Sequence, residues 1–342
     1  MSDLRTKNLF LQSWVLQPLY SKRNDMQRRD FLRRGLGGTM AFALSGLIVG
    51  EKSAEAAGTV VSYDFTAVGS VKTLIDGANV FMWEFKDNSG VSGPGALGSG
   101  IVIKEGDQVE VTVTNTLDRD INFVIPGAME NTPAVAPGAT RTYSFLAPAA
   151  GSYRYTDDAN GFLSQAMGLF GPLVVTPADG SNAFYPGGDN FVKQYTLVMS
   201  DLDDRLNAAV EQGGTYDIND YEPNYFFING LIYPDTTLSA DTLITMDLGT
   251  DIGIRFISAS AIEYPMHYHG YHANVTTRNR KVVTDVISKD TILVNPGETV
   301  DTILPVIQAG IFPLHTHYVP AVAANGVYSN PYGGGLLLMI AT

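Results

Sequence analysis

Residues 264–270 read Tyr-Pro-Met-His-Tyr-His-Gly, and residues 314–318 read Leu-His-Thr-His-Tyr. These two stretches hold His267, His269, His315 and His317; the fifth and last histidine of the 342-residue chain is His272, and there is no cysteine. In an extended strand, residues i and i+2 point to one face, roughly 6.5 Å apart at the backbone. Each His-x-His pair therefore aims two imidazoles in one direction, and two such strands side by side bring four together. Neutral imidazole is the commonest side-chain metal ligand. A metal site is one reading; alternation of surface or core histidines on strands is the other.

The sequence around these stretches follows β grammar. Gln108-Val109-Glu110-Val111-Thr112-Val113-Thr114-Asn115 alternates with period two, as a half-buried strand does. Ile101–Ile103, Arg141–Phe145 and Ser152–Tyr155 read as further strands, with turns at Pro137-Gly138 and Ala150-Gly151, and Gly168–Pro177 closes a first unit. Residues 178–192 read as a linker rich in turn residues. The pattern then repeats: strands at Tyr195–Met199 and Asp251–Ile257, a turn-strand element at Asn229–Pro234, turns at Pro296-Gly297 and Ala309-Gly310, and a closing strand after Gly335. A short helix is predicted only within Ser200–Gln212. The expectation is an all-β protein of two consecutive Greek-key β-sandwich domains, residues 57–178 and 179–342.

Residues 1–56 read as an export signal rather than as fold. Gln27-Arg28-Arg29-Asp30-Phe31-Leu32 matches the twin-arginine pattern, Leu36–Val49 is apolar and glycine-softened, and Ser53-Ala54-Glu55-Ala56-Ala57 is a small-residue cleavage site. The apolar run is about 14 residues, short for a bilayer core of ~30 Å. The expected location is periplasmic or otherwise extracytoplasmic. Net charge is -13 over the chain, and 13 basic against 30 acidic residues follow position 56. Such a surface repels nucleic acid and anionic membrane. Without cysteine, stability rests on burial rather than on disulfides.

Taken together, the chain resembles a two-domain multicopper oxidase built from cupredoxin domains, over nearly all of residues 60–342. In that family four His-x-His pairs, two per domain, hold a trinuclear copper cluster, and a separate blue-copper site uses two His, one Cys and often a Met. Tyr264-Pro265-Met266-His267-Tyr268-His269-Gly270 resembles the family's His-Pro-x-His-x-His-Gly, and His315-Thr316-His317 its His-Cys-His. The resemblance puts Tyr264, Thr316, Ala321 and Val327 at the four blue-copper positions, and no thiolate is available to supply the defining bond of such a site. In the first domain it puts Val124, Pro126, Thr156 and Asp158 at the cluster positions, of which only Asp158 carries a metal-ligating group.

The resemblance implies His267, His269, His315 and His317 as metal ligands, copper as the metal, dioxygen or a small reductant as partners, and a homotrimer with the cluster between subunits. By ligand chemistry alone other divalent metals remain candidates. Three further residues carry two readings each. His272 follows the inserted Tyr271 and is either a ligand or a packing residue. Asp158 is either a turn carboxylate or a ligand offered to a neighbouring subunit. Tyr264 is either a packing residue or a ligand, hydrogen-bond donor or radical relay. The function classes are a copper-dependent oxidoreductase, a copper-binding or copper-handling protein, and a metal-free scaffold in the cell envelope.

Overall fold

The structure, a computed structural model, describes residues 60–89, 98–322 and 334–342. The export signal with its cleavage site, and Val327, lie outside the described residues.

Period-two alternation builds the first sandwich. β1 (Val60–Thr73) pairs antiparallel with β2 (Asn79–Asp87) and parallel with β4 (Gln108–Asn115), and β5 (Thr140–Leu146) closes the sheet on the far side of β4. β4 alternates half-buried and buried residues along its whole length, so one face lies on the core. The facing sheet places β7 (Phe170–Thr176) between the parallel β3 (Ile101–Lys104) and the antiparallel β6 (Gly151–Thr156). Between the sheets Tyr155 takes the centre of an aromatic cluster, 5.0 Å from Phe123 and 5.6 Å from both Phe65 and Phe85, ring centroid to centroid.

The second sandwich repeats these pairings. β8 (Lys193–Leu202) runs parallel to β11 (Asp251–Ser258), flanked by β9 (Tyr225–Ile228) and β16 (Thr299–Pro305), as β1 and β4 are flanked by β2 and β5. β10 (Ile244–Met246) runs parallel to β18 (Leu336–Ala341), which pairs antiparallel with β17 (Gly310–Thr316), as β3, β7 and β6 do. Four more strands enlarge both sheets: β13 (Ala273–Arg278) and β14 (Lys281–Lys289) extend one beyond β16, and β12 (Tyr264–Tyr268) and β15 (Thr291–Val294) extend the other beyond β17. The expected class, two consecutive cupredoxin-like sandwiches, holds.

Three local expectations change. A six-residue helix, α1 (Phe162–Met167), follows the turn after β6 and ends on Gly168 at φ 111, a left-handed cap that a Cβ would strain. The predicted helix is present as α2 (Asp204–Glu211), with the Asp203 carboxylate accepting from the Arg205 N–H. Leu231–Pro234 is no strand: the strand comes before the turn, as β9, and Asn229 and Gly230 both have positive φ. The linker is anchored rather than loose, since Phe184 and Phe191 pack with Ile303.

A buried polar seam joins the sandwiches. β6 is buried on both faces because its outward side lies on β11 and β16. Ser152 Oγ donates to Asp301 Oδ1 at 2.5 Å and accepts from Arg255 Nη1 at 3.0 Å. Thr277 Oγ1 donates to the other Asp301 oxygen at 2.7 Å, and Arg255 Nε to Gln194 at 2.9 Å, with the guanidinium over the Phe184 ring. Arg255 and Asp301 are fully buried 3.7 Å apart. Removing one charge strands the other in a low-dielectric seam. Asp301→Ala is therefore expected to lower unfolding stability by about 3–5 kcal/mol, measured by chemical denaturation.

Candidate metal centre

β12 and β17 are hydrogen-bonded neighbours, and their register places His267 directly opposite His315. The ladder continues past the strand ends: the His269 N–H donates to Pro313 O at 3.0 Å and the His317 N–H to Pro265 O at 2.8 Å. His267, His269, His315 and His317 consequently share one face, the outer face of their sheet. Ring centroids lie 4.5 Å apart for His267–His317, 4.8 Å for His267–His269, 5.1 Å for His269–His315, 5.4 Å for His315–His317 and 5.7 Å for His267–His315. Four imidazoles thus meet, because the two strands do lie side by side.

Their nitrogens are partly assigned. His315 Nδ1 lies 2.9 Å from the Thr316 carbonyl, which only accepts, so Nδ1 carries the proton and Nε2 of the neutral ring is a lone pair. That Nε2 accepts from His269 Nε2–H at 3.0 Å, a hydrogen bond whose proton a metal ion would displace. His267 Nδ1 is 3.0 Å from Thr291 Oγ1 on β15, a contact that does not involve its Nε2. The Asp290 carboxylate is at 4.0 Å from the same nitrogen and largely exposed. Burial, with the neighbouring imidazoles adding to it, holds His269 and His315 below the usual imidazole range, so both are neutral near pH 7.

Among the described residues no three His, Cys, Asp or Glu side chains stand in a finished metal-binding arrangement. What stands there is a set of donors in contact with one another. With metal–imidazole bonds of about 2.0 Å, two nitrogens 3.0 Å apart subtend roughly 95° at an ion, the edge of an ordinary coordination polyhedron. The Nε2 pair of His269 and His315 already has that spacing. The donor set, four imidazoles with no thiolate, suits copper(II), zinc or nickel by ligand chemistry.

The remaining sequence candidates fall elsewhere. His272 is exposed and takes no part in the ring contacts of the four, because the inserted Tyr271 is buried and turns it outward. Tyr264 lies on the opposite face of β12: three residues from His267, it has the parity of Met266 and Tyr268 and points into the core. Its Oη donates to the Ser200 carbonyl at 3.0 Å, so within this chain it is a packing residue and hydrogen-bond donor rather than a ligand of the cluster. Beside it lie Thr316 and Gly335; a Cβ on Gly335 would stand 3.2 Å from Thr316 Cγ2 and 3.3 Å from Tyr264 Cε1. Ala321 is buried in the same core.

In the first sandwich Val124 and Thr156 exchange both backbone hydrogen bonds at 2.9 Å, a pairing like that of His267 with His315. Pro126 and Asp158 are exposed. The turn carboxylate is Asp157, not Asp158. Asp157 is buried and accepts from the N–H groups of Asn122 at 2.6 Å and Ala159 at 3.1 Å, from Asn160 Nδ2 at 3.0 Å, and from the Ser164 hydroxyl. Among the described residues the Asp158 carboxylate receives only the Asn122 side chain, at 2.5 Å, with Asn122 Oδ1 accepting the Asp158 N–H. The roles of Asp157 and Thr291 had no signal in the sequence, since neither sits in a motif and both act through pairing. Asp157→Ala is expected to cost about 2–3 kcal/mol by stranding buried donors, and Asp158→Ala about 0.5 kcal/mol or less; thermal and chemical melts compare them.

Models of the multicopper oxidase family match residues 89–180 and 209–329. Among solved structures, a blue copper oxidase from Nitrosomonas europaea is similar with a TM-score of 0.69 and 24% identity, over 82% of this chain and 86% of that one. A copper nitrite reductase from the same organism gives 0.64 and 17%, over 83% and 94%. A multi-copper oxidase from Pseudomonas thermotolerans gives 0.60 and 19%, over 83% and 64%. At these identities the likeness is one of fold. No curated protein matches the sequence.

Proposed function

The chain belongs to the multicopper oxidase family, whose models match more than half of it, and we propose that it is an exported copper-binding member with one metal face, made by His267, His269, His315 and His317. The spacing of His269 Nε2 and His315 Nε2 at 3.0 Å supports this most directly. Two further features add to it: both rings are neutral near pH 7, and Thr291 and the Thr316 carbonyl orient two of the four. Copper bound there supplies one-electron chemistry toward dioxygen or a small reductant, or is held for storage and delivery. No blue-copper thiolate is available, since the chain has no cysteine. Electrons would therefore enter without the route typical of such a site, and the twin-arginine stretch motivates the extracytoplasmic location.

Copper loading of the folded protein should retain copper by elemental analysis without the intense visible band of a copper–thiolate bond. His267→Ala/His315→Ala should lose it. Equal, negligible copper in both proteins would leave a metal-free envelope scaffold as the better description.

The homotrimer is part of the same proposal. Around the histidines the outer sheet face is apolar: Ile311 is 66% exposed and Leu293 39%, and Leu336, Leu338 and Ile340 alternate outward with the buried Leu337, Met339 and Ala341. Exposed apolar area of this kind marks an interaction surface. A second copy covering it would bring Asp158, already exposed, within reach as an oxygen donor. Light scattering is expected to give three chains per particle, and Asp158→Ala to weaken copper retention in that particle while leaving its mass unchanged.

A further inference from the structure

Behind β12, on the face away from the histidines, runs a buried hydrogen-bonded line that the copper proposal does not use. Tyr221 donates from Oη to Asp201 Oδ1 at 2.6 Å. Asp201 is 5% exposed, and its Oδ2 accepts from Ser260 Oγ and from the N–H groups of Ala261 at 2.8 Å and Ile262 at 3.3 Å. Tyr264, on β12 itself, donates to the carbonyl of Ser200, the residue beside Asp201. No ion pair among the described residues includes Asp201. Holding the 260–262 backbone requires only the carboxylate and Ser260; the phenol of Tyr221 is an addition to that task.

We propose that Tyr221 and Asp201 form a proton-coupled one-electron redox pair. One electron leaves the Tyr221 ring to a one-electron oxidant, the Oη–H bond breaks, and the proton passes along the 2.6 Å hydrogen bond to Asp201. The products are a neutral phenoxyl radical and a neutral carboxylic acid, and a one-electron donor reverses the step, the proton returning to Oη. Oxidation without the acceptor would strand a positive charge in a desolvated site, at a large cost. Burial pushes the Asp201 carboxyl above the usual carboxylate range, which suits it to receive the proton.

The line has two ends. Inward, Tyr264 lies next to Asp201 and shares a strand with His267, about 10 Å along the backbone. Outward, Phe162 meets the Tyr221 ring edge-on at 5.0 Å and lines a cleft of about 370 Å³ between α1 and α2, with Leu206 and Tyr216; a small donor would approach the pair from there. The pair deepens the copper proposal by taking dioxygen, reduced at the histidine face, as its terminal oxidant, and rests on that proposal for this point alone.

The test uses the full chain, copper-free and copper-loaded, with photogenerated tris(bipyridine)ruthenium(III) as oxidant and freeze-quench EPR as readout. Wild type should give a neutral tyrosyl signal in both forms. Tyr221→Phe should remove most of it, and Tyr216→Phe, whose hydroxyl donates to Asp203 at 2.8 Å, should not. Asp201→Asn should slow radical formation on the order of 100-fold while its melting curve shows a folded protein; if that variant does not fold, Tyr221→Phe decides. A wild-type signal in Tyr221→Phe, or an unchanged rate in folded Asp201→Asn, overturns the pair. The copper-free arm keeps the two ideas apart: a radical there with no copper bound on loading sinks the metal site and leaves the pair standing.

Discussion

The pairing of His267 with His315 across β12 and β17 is the constraint on which the four-histidine face depends. A strand has a side-chain period of two, so a slip of one residue would send one pair of imidazoles into the core and bring Tyr268 or Thr316 outward. The inner face forbids that slip. Tyr264, Met266, Tyr268 and Leu314 are all packed in the core, and a shifted register would bury imidazoles in their place. The apolar side of the two strands therefore holds the polar side in alignment. Parallel pairing of β8 with β11 and of β10 with β18 then sets the two sheets between which that apolar side is buried.

The first sandwich shows that the backbone arrangement survives without the ligands. Val124 and Thr156 exchange the same reciprocal hydrogen bonds, yet neither side chain binds a metal, and the buried carboxylate nearby, Asp157, spends its oxygens on turn N–H groups, Asn160 and Ser164. Fold and donor chemistry are separable: the ladder is made by main-chain groups, whereas the ligand set depends on four side chains per face. The core of the second sandwich makes the same point, since Tyr264 and Thr316 pack beside Gly335 where the family resemblance would have a copper ligand and a thiolate.

Much of this was legible in the sequence. Alternation gave the strands, the repeated turns gave the duplication, and the two His-x-His stretches gave the four residues that meet. The six-residue helix α1, the anchoring of residues 184 and 191, and the choice of Asp157 over Asp158 as the turn carboxylate were not legible. Each depends on a partner distant in the chain: Asp157 on Asn122, Phe184 on Arg255 and Ile303, and α1, through Phe162, on Tyr221.

By itself the sequence determined the β class, the two-fold repetition and the identity of the four imidazoles, because these follow from side-chain periodicity and from where histidine is used at all. Only the tertiary structure decided that β12 and β17 are neighbours in this register, that Thr291 orients His267, and that Tyr264 faces the core. Pairing between strands tens of residues apart is set by which faces can be buried together, and that is a property of the assembled sandwich rather than of any one stretch.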